Sequence, residues 1–304
     1  MTASNKRINR FPIQKQLFAL PVPHRFMNLN TIPVIDKYIV INLFYYLRIS
    51  LQTGLMMHIL FGSIAVLCIL FEWYLPAAIT LHIREMLAAT NQLYTRLKKS
   101  HDRTSPMYYE IGNTLTAIVM LTAFAVSLLH YFPPMKVWLL TAAALVSILL
   151  HNSTFIFYYK KYSHVIQNKD GAESFDAVHN KSSALSPLTQ KLYTLLLQWQ
   201  YHIITTIDAL CFTAALKQWN IIKKRSALLF KNAWYGNKIF LTVSSLLGYH
   251  ISIFMFIAAY IAMAKTHNPT TYLWPLWFII IWRNGYWILS LCARTLYFIL
   301  RRHH

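Results

Sequence analysis

The sequence predicts an all-α, polytopic helical membrane protein with about six transmembrane helices and both termini in the cytosol. Three observations support this fold class. Hydrophobic residues form 56% of the 304 residues and charged residues 12%, whereas soluble domains are about 45–50% apolar and about 25% charged. The apolar residues gather into runs of about 18 or more, which is long enough for a membrane-spanning helix. The 29 Lys and Arg residues cluster in alternate segments between these runs.

The chain begins with a basic tail, residues 1–37, which lacks the apolar centre of a signal peptide and is expected in the cytosol. Residues 38–304 follow as a single helical transmembrane domain. Six spans place the tail and two basic loops, 84–110 and 160–238, on the same side of the membrane, and leave two Lys residues in the opposite turns. Since Lys and Arg are retained on the cytoplasmic side, these loops and both termini are predicted to be cytosolic.

The first apolar stretch, 38–83, contains one basic residue other than histidine, Arg48, and one acidic residue, Glu72. It is too long for one helix across a hydrocarbon core of about 30 Å. We therefore expect two tightly joined helices, at 38–57 and 61–83. The same charge distribution supports this division, because a single helix would place the basic tail on the outer side.

Four further apolar runs predict the remaining spans. A Pro-Pro pair and an Asn-Pro pair break the chain before two of them, because proline cannot continue a helix. The predicted spans are 111–131, 135–159, 239–264 and 272–300. A shorter apolar stretch, 201–216, contains Asp208 and is predicted to lie in the cytosol or at the membrane interface. A crossing at this stretch is the alternative that the sequence leaves open.

Several function classes find no support in the sequence. It contains no nucleotide-binding, metalloprotease or serine-hydrolase motif, so we expect no enzyme and no cofactor. The three cysteines and thirteen histidines are dispersed without metal-ligand spacing. A net charge of +20 would suggest nucleic acid in a soluble protein, but in a polytopic chain it reports topology, and we expect no nucleic-acid partner. The expected partners are the lipid bilayer, a small-molecule ligand and further subunits in a homo- or hetero-oligomer.

Charged and aromatic residues within the spans are the candidate ligand contacts, because ionisable groups at membrane depth are costly and commonly functional. Glu72 and Arg283 are expected midway along their spans, where they either pair with each other or face a wet cavity. Aromatic residues at the outer ends form either an interfacial belt or a ligand pocket. The full candidate set is Glu72, His130, Trp138, Tyr260, Trp274, Trp277 and Arg283.

One local pattern resembles the insect gustatory receptor and gustatory-receptor-like family. A basic amphipathic segment leads into Asn232-Ala-Trp-Tyr235-Gly236, an apolar run follows, and the last span carries the late Cys292. The resemblance implies a seven-helix chemoreceptor fold in which Asn232, Tyr235, Gly236 and Cys292 hold the family-motif positions. The family's seventh helix lines an ion pore, and the sequence given ends after the helix that resembles the sixth.

The resemblance implies a divergent chemosensory receptor, or an accessory subunit of one, in the plasma membrane and connected with taste. Since the pore-lining helix has no counterpart here, we expect no channel from this chain alone. A small-solute transporter and a structural membrane protein without a ligand are the alternatives. The sequence names neither the ligand nor the oligomeric state.

Overall fold

The computed structural model describes residues 43–44, 46–47, 49, 51–97, 105–166, 191, 194–218, 224–266 and 268–300. Within these ranges every regular element is a helix and no strand occurs, so the helical class predicted from the sequence is confirmed. The predicted cytosolic tail, much of the first predicted span and most of the polar part of loop 160–238 lie outside the described residues.

Ten helices form the described chain, with a 3-10 turn and two π-helical turns between them. They are α1 Leu51–Leu70, α2 Tyr74–Leu97, α3 Ser105–Leu128, α4 Pro134–Ile166, α5 Trp199–Gln218, α6 Lys224–Gly236, α7 Lys238–Ser245, α8 Tyr249–Thr266, α9 Trp274–Trp277 and α10 Asn284–Leu300. The π-helical turn Thr194–Gln198 precedes α5, and the 3-10 turn Pro269–Leu273 precedes α9. The π-helical turn Phe278–Arg283 joins α9 to α10 without a break.

The boundary between the first two helices differs from the prediction. It falls at residues 71–73 and not at 58–60, because α1 ends in a Schellman motif: Trp73 N–H donates to the Cys68 carbonyl and Glu72 N–H to that of Ile69. Pro76 lies in the first turn of α2, where the N–H that proline lacks needs no helical partner. Helix α2 then continues into the loop predicted at 84–110.

Helix α4 is the central element. Its 33 residues span roughly 50 Å at 1.5 Å per residue, which exceeds the hydrocarbon core of about 30 Å. It begins at Pro134, as the Pro-Pro break predicts, and extends past the predicted end at Tyr159. It contacts α3, α5, α6, α7, α8 and α10. Helix α4 therefore connects the apolar half of the bundle with the segment predicted to be a cytosolic loop.

The predicted span 239–264 is interrupted. A turn at residues 246–248 separates α7 from α8, whereas the last predicted span is helical throughout apart from its π-helical turn. By length and composition two of the described helices could cross a membrane, Pro134–Tyr162 and Thr271–Leu300. Shorter apolar helices occupy Met56–Leu70, Thr114–Leu128 and Ile251–Thr266.

The three helical hairpins turn at the same end of the bundle. We call this the turn end, and it comprises residues 71–73, 129–133 and 268–273. Tyr131 donates a hydrogen bond to Glu72 over 2.7 Å, and its ring lies 5.3 Å from that of Tyr272. These contacts join the three turns. Beneath them lies the largest buried cluster, which includes Ala65, Phe124 and Phe256.

Candidate functional site

An open pocket of about 490 Å³ lies between the three turns of the turn end. Its lining consists of Glu72, Trp73, Tyr74, Leu75, Pro76, Tyr131, Ala264 and Tyr272. Four of these eight residues are aromatic, and one is a carboxylate. Three separate hairpins contribute residues to the lining of the pocket. The lining therefore depends on the tertiary fold and not on one local motif.

Glu72 occupies the turn between α1 and α2, so the prediction that it lies midway along a span is wrong. It is half-buried and accepts the Tyr131 hydroxyl. This hydrogen bond, followed by burial, raises the pKa of Tyr131 to about 12. Glu72 adopts φ 59°, in the left-handed region where glycine is usual at a helix C-terminus. Glu72 thus lines the pocket although its backbone adopts a conformation that is unfavourable for a residue with a side chain.

Arg283 does not pair with Glu72, so the pairing considered from the sequence is wrong. The guanidinium group is buried and donates to the Leu247 carbonyl over 2.7 Å and to the Ser252 hydroxyl. The carbonyls of Leu246 and Gly248 lie 3.4 Å away. Arg283 therefore caps the C-terminal end of α7 at the break in the predicted span, where the helix dipole and the unpaired carbonyls favour a cation.

A polar layer adjoins this cap in the middle of the bundle. His151 Nε2 and the Asn284 side-chain oxygen are 2.9 Å apart, and the Asn284 amide donates to Ser147 over the same distance. The three residues link α4 to the start of α10. Within the described residues no group of three His, Cys, Asp or Glu side chains could hold a metal ion.

A second cluster of buried charge lies at the opposite end of the bundle. Asp208, 2% exposed, accepts hydrogen bonds from Tyr158 at 2.8 Å, from the Trp234 indole at 3.1 Å and from Tyr235 at 2.6 Å. The Arg294 guanidinium lies 4.0 Å from the Tyr158 ring centroid and donates to the Trp234 carbonyl. Together these residues connect α4, α5, α6 and α10. We call them the anchor cluster.

The anchor cluster gives one of the family-motif positions a physical role. Burial, and then the neighbouring Asp208, raise the pKa of Tyr235 well above its ordinary value, so its hydroxyl remains a donor. Gly236 lies close to α4, since a Cβ at this position would be 3.1 Å from Val165. By contrast Asn232 and Cys292 are exposed and do not belong to the cluster.

The remaining predicted ligand residues do not converge. His130, Trp138 and Trp277 are exposed, while Tyr260 is fully buried and stacks on Tyr74 with 6.0 Å between ring centroids. Trp274 lines a different, apolar pocket of about 380 Å³ beside α8. Of the seven predicted residues, Glu72 is the one that lines the turn-end pocket.

Sequence reasoning missed most of the turn-end pocket and of the anchor cluster. Tyr131 and Tyr272 were visible as aromatics at span ends, but no local signal related them to Glu72. Trp234 lies inside the motif between two residues that were singled out, and its complete burial identifies it as the centre of the packing. Arg294 lies near the end of the last predicted span, and no local signal related it to Tyr158 or Trp234, although a buried arginine needs partners wherever it lies.

Comparison of the chain with protein-family models, with curated proteins and with solved structures finds no match.

Proposed function

We propose that this chain is a multi-pass membrane protein of the chemoreceptor type, which binds a small molecule at the turn end. Its apolar surface supports the membrane assignment. The most apolar stretch of Thr271–Leu300 is only 17% buried, whereas a core helix of a soluble protein would be mostly covered. Large apolar side chains more than half exposed on the proposed membrane-crossing helices include Leu139, Ile281 and Leu289.

The arrangement of the hairpins supports the proposed orientation. The first turn lies at residues 71–73 and not at 58–60, but the proposed number of membrane crossings stays at six. The turn end therefore still carries few Lys and Arg residues, and we place it on the outer side of the membrane. The anchor cluster and the basic helix α6 then lie on the cytosolic side. In this orientation α5 packs beside the second half of α4, near Ser153 and Tyr158, and lies beyond the membrane core without crossing it.

The pocket at the turn end is the single observation that carries the receptor proposal. It opens where three hairpins meet, and its volume of about 490 Å³ falls within the range of small-molecule sites, about 300–1,000 Å³. A ligand bound there contacts the turns that follow α1 and α3, the first turn of α2 and the end of α8 together. Binding can therefore change the relative positions of these helices.

We further propose that the chain does not conduct ions on its own. An ion path needs a polar lining that continues through the membrane. Among the described helices, the polar layer at Ser147, His151 and Asn284 is bounded by the apolar cluster around Phe124 and Phe256. The protein then acts as a binding subunit.

The interruption between α7 and α8 favours a second candidate, a small-solute transporter. Transporters often place broken helices at membrane depth, with half-helix C-terminal carbonyls that coordinate a cation. Here the Arg283 guanidinium group already donates hydrogen bonds to the carbonyls at the end of α7, so binding of a transported cation would require displacement of this side chain. Uptake of labelled solutes into vesicles separates this candidate from a receptor, which binds without accumulation.

The test of the receptor proposal measures ligand-dependent thermal stabilisation of the purified protein across a broad panel of tastants. We expect some compounds to raise the unfolding midpoint of the wild type and to have no effect on Tyr272→Leu. Trp274→Leu, which changes the separate apolar pocket, is the matched control and should respond as the wild type does. Extraction of the protein from membranes by alkaline carbonate would contradict the membrane assignment, and a panel without any stabilising compound would contradict the receptor assignment.

A further inference from the structure

We propose that the turn-end pocket selects an organic cation, namely a quaternary ammonium ion or a protonated amine of small size. The inference deepens the proposed function, on which it rests for the outward exposure of the pocket. It names the charge class of the ligand, which the sequence left undetermined.

The charge balance of the pocket is the first argument. Glu72 accepts one neutral hydroxyl, from Tyr131, and forms no ion pair with any residue that the structure describes. Two lysines flank the turns, but neither Lys136, which lies 5.8 Å from the centroid of the Phe132 ring, nor the exposed Lys265 forms an ion pair with Glu72. A half-buried carboxylate without a cation attracts one from solution.

The aromatic lining is the second argument. The Tyr272 ring lies 5.3 Å from that of Tyr131 and 5.6 Å from that of Tyr74, both in edge-on geometry, and Trp73 lines the same pocket. These three rings and the Trp73 indole line the same pocket as Glu72, with one face of Tyr74 covered by Tyr260. The negative faces of Trp and Tyr rings attract ammonium groups, and such aromatic cages recognise quaternary ammonium ligands.

The backbone at Glu72 is the third argument. A glycine would satisfy the Schellman motif at φ 59° without the steric conflict that a Cβ creates there. The chain instead carries a glutamate at this position, and such outliers concentrate at ligand sites.

The experiment compares choline with its neutral isostere, 3,3-dimethyl-1-butanol, on the purified full chain in a non-ionic detergent. The two probes share their shape and differ in charge. We expect saturable binding of choline, by isothermal titration calorimetry, and at least tenfold weaker binding of the neutral probe. Equal affinities for the two probes, or no binding of choline, overturn the inference.

Variants locate the site. Glu72→Gln keeps the acceptor for Tyr131 and removes the charge, so choline affinity should fall at least tenfold. Trp274→Leu changes the separate apolar pocket beside α8 and leaves the turn-end lining intact, so it is the control and choline affinity should change by less than threefold. Glu72→Gly relieves the backbone conflict; it should unfold no earlier than the wild type and yet lose choline binding. An unchanged affinity in Glu72→Gln assigns the binding to another place and overturns the inference.

Choline binding and stabilisation by neutral compounds together distinguish a wrong ligand class from a wrong receptor proposal. If neutral compounds stabilise the wild type and lose their effect in Tyr272→Leu, while choline does not bind, the receptor proposal stands and the cation class is wrong. If neither choline nor a neutral compound depends on Glu72 or Tyr272, both are wrong.

Discussion

Replacement of Arg283 by methionine should destabilise the protein, because it removes the cap from the end of α7. The guanidinium group makes two close hydrogen bonds, to Leu247 and Ser252. Hydrogen bonds to charged groups contribute about 1.5–3 kcal/mol each. Removal of the cation also removes the cost of its own burial, which offsets part of this loss. We therefore expect a net loss of about 2–4 kcal/mol.

The assay is thermal unfolding in detergent, followed by size-exclusion chromatography of the remaining folded protein. A loss of 1 kcal/mol lowers the midpoint by about 2–4 °C in chains of 150–250 residues, so Arg283→Met should lower it by roughly 5–15 °C. Arg283→Lys keeps one donor and should lose less. Trp282→Leu changes an exposed side chain on the same π-helical turn and is the matched control, with little expected change.

Two results would refute this reasoning. A midpoint for Arg283→Met equal to that of the wild type means that the carbonyls at 246–248 find other donors. A strong coupling between Arg283→Met and Glu72→Gln in a double-mutant cycle means that the two charges interact, which the described contacts exclude. Sites without shared partners are expected to be additive within about 0.5 kcal/mol.

Further predictions concern the anchor cluster, the topology and conduction. Asp208→Asn should cost about 2–4 kcal/mol of unfolding free energy, because three donors, two of them buried, lose a charged acceptor. Tyr235→Phe removes one hydrogen bond and should cost about 1 kcal/mol. Equal effects of the two variants in thermal unfolding contradict the central role of Asp208. In a cysteine-free background, a membrane-impermeant maleimide applied to intact cells should label Met135→Cys, in the first turn of α4 beside the turn end, and spare Leu229→Cys on α6. Both positions are exposed. Labelling in the reverse pattern inverts the proposed orientation. Whole-cell recordings from the 304-residue chain expressed alone should show no tastant-dependent cation current, and a current abolished by substitutions in the described helices contradicts the binding-subunit proposal.

The sequence by itself determined the features that depend on composition and on local stereochemistry. Long apolar runs with few charges predict helices, and the structure confirms the helical class. The Pro-Pro pair predicts the start of α4 at Pro134, because proline fixes φ and lacks an N–H wherever it occurs. These signals act within a few residues, so no knowledge of the neighbouring helices is needed.

The tertiary structure decided what each polar side chain contacts. Pairing of Glu72 with Arg283 was one of two arrangements expected from the sequence, because both residues were predicted at membrane depth. In the structure a Schellman motif places Glu72 in a turn, and the break after α7 supplies Arg283 with carbonyls. Similarly Asp208 meets Trp234, and Arg294 meets Tyr158, only because α5, α6 and α10 pack around α4. The physical reason is that a buried charge is stabilised by whichever donors or acceptors the packing brings within hydrogen-bond distance, and those groups lie far away in the sequence.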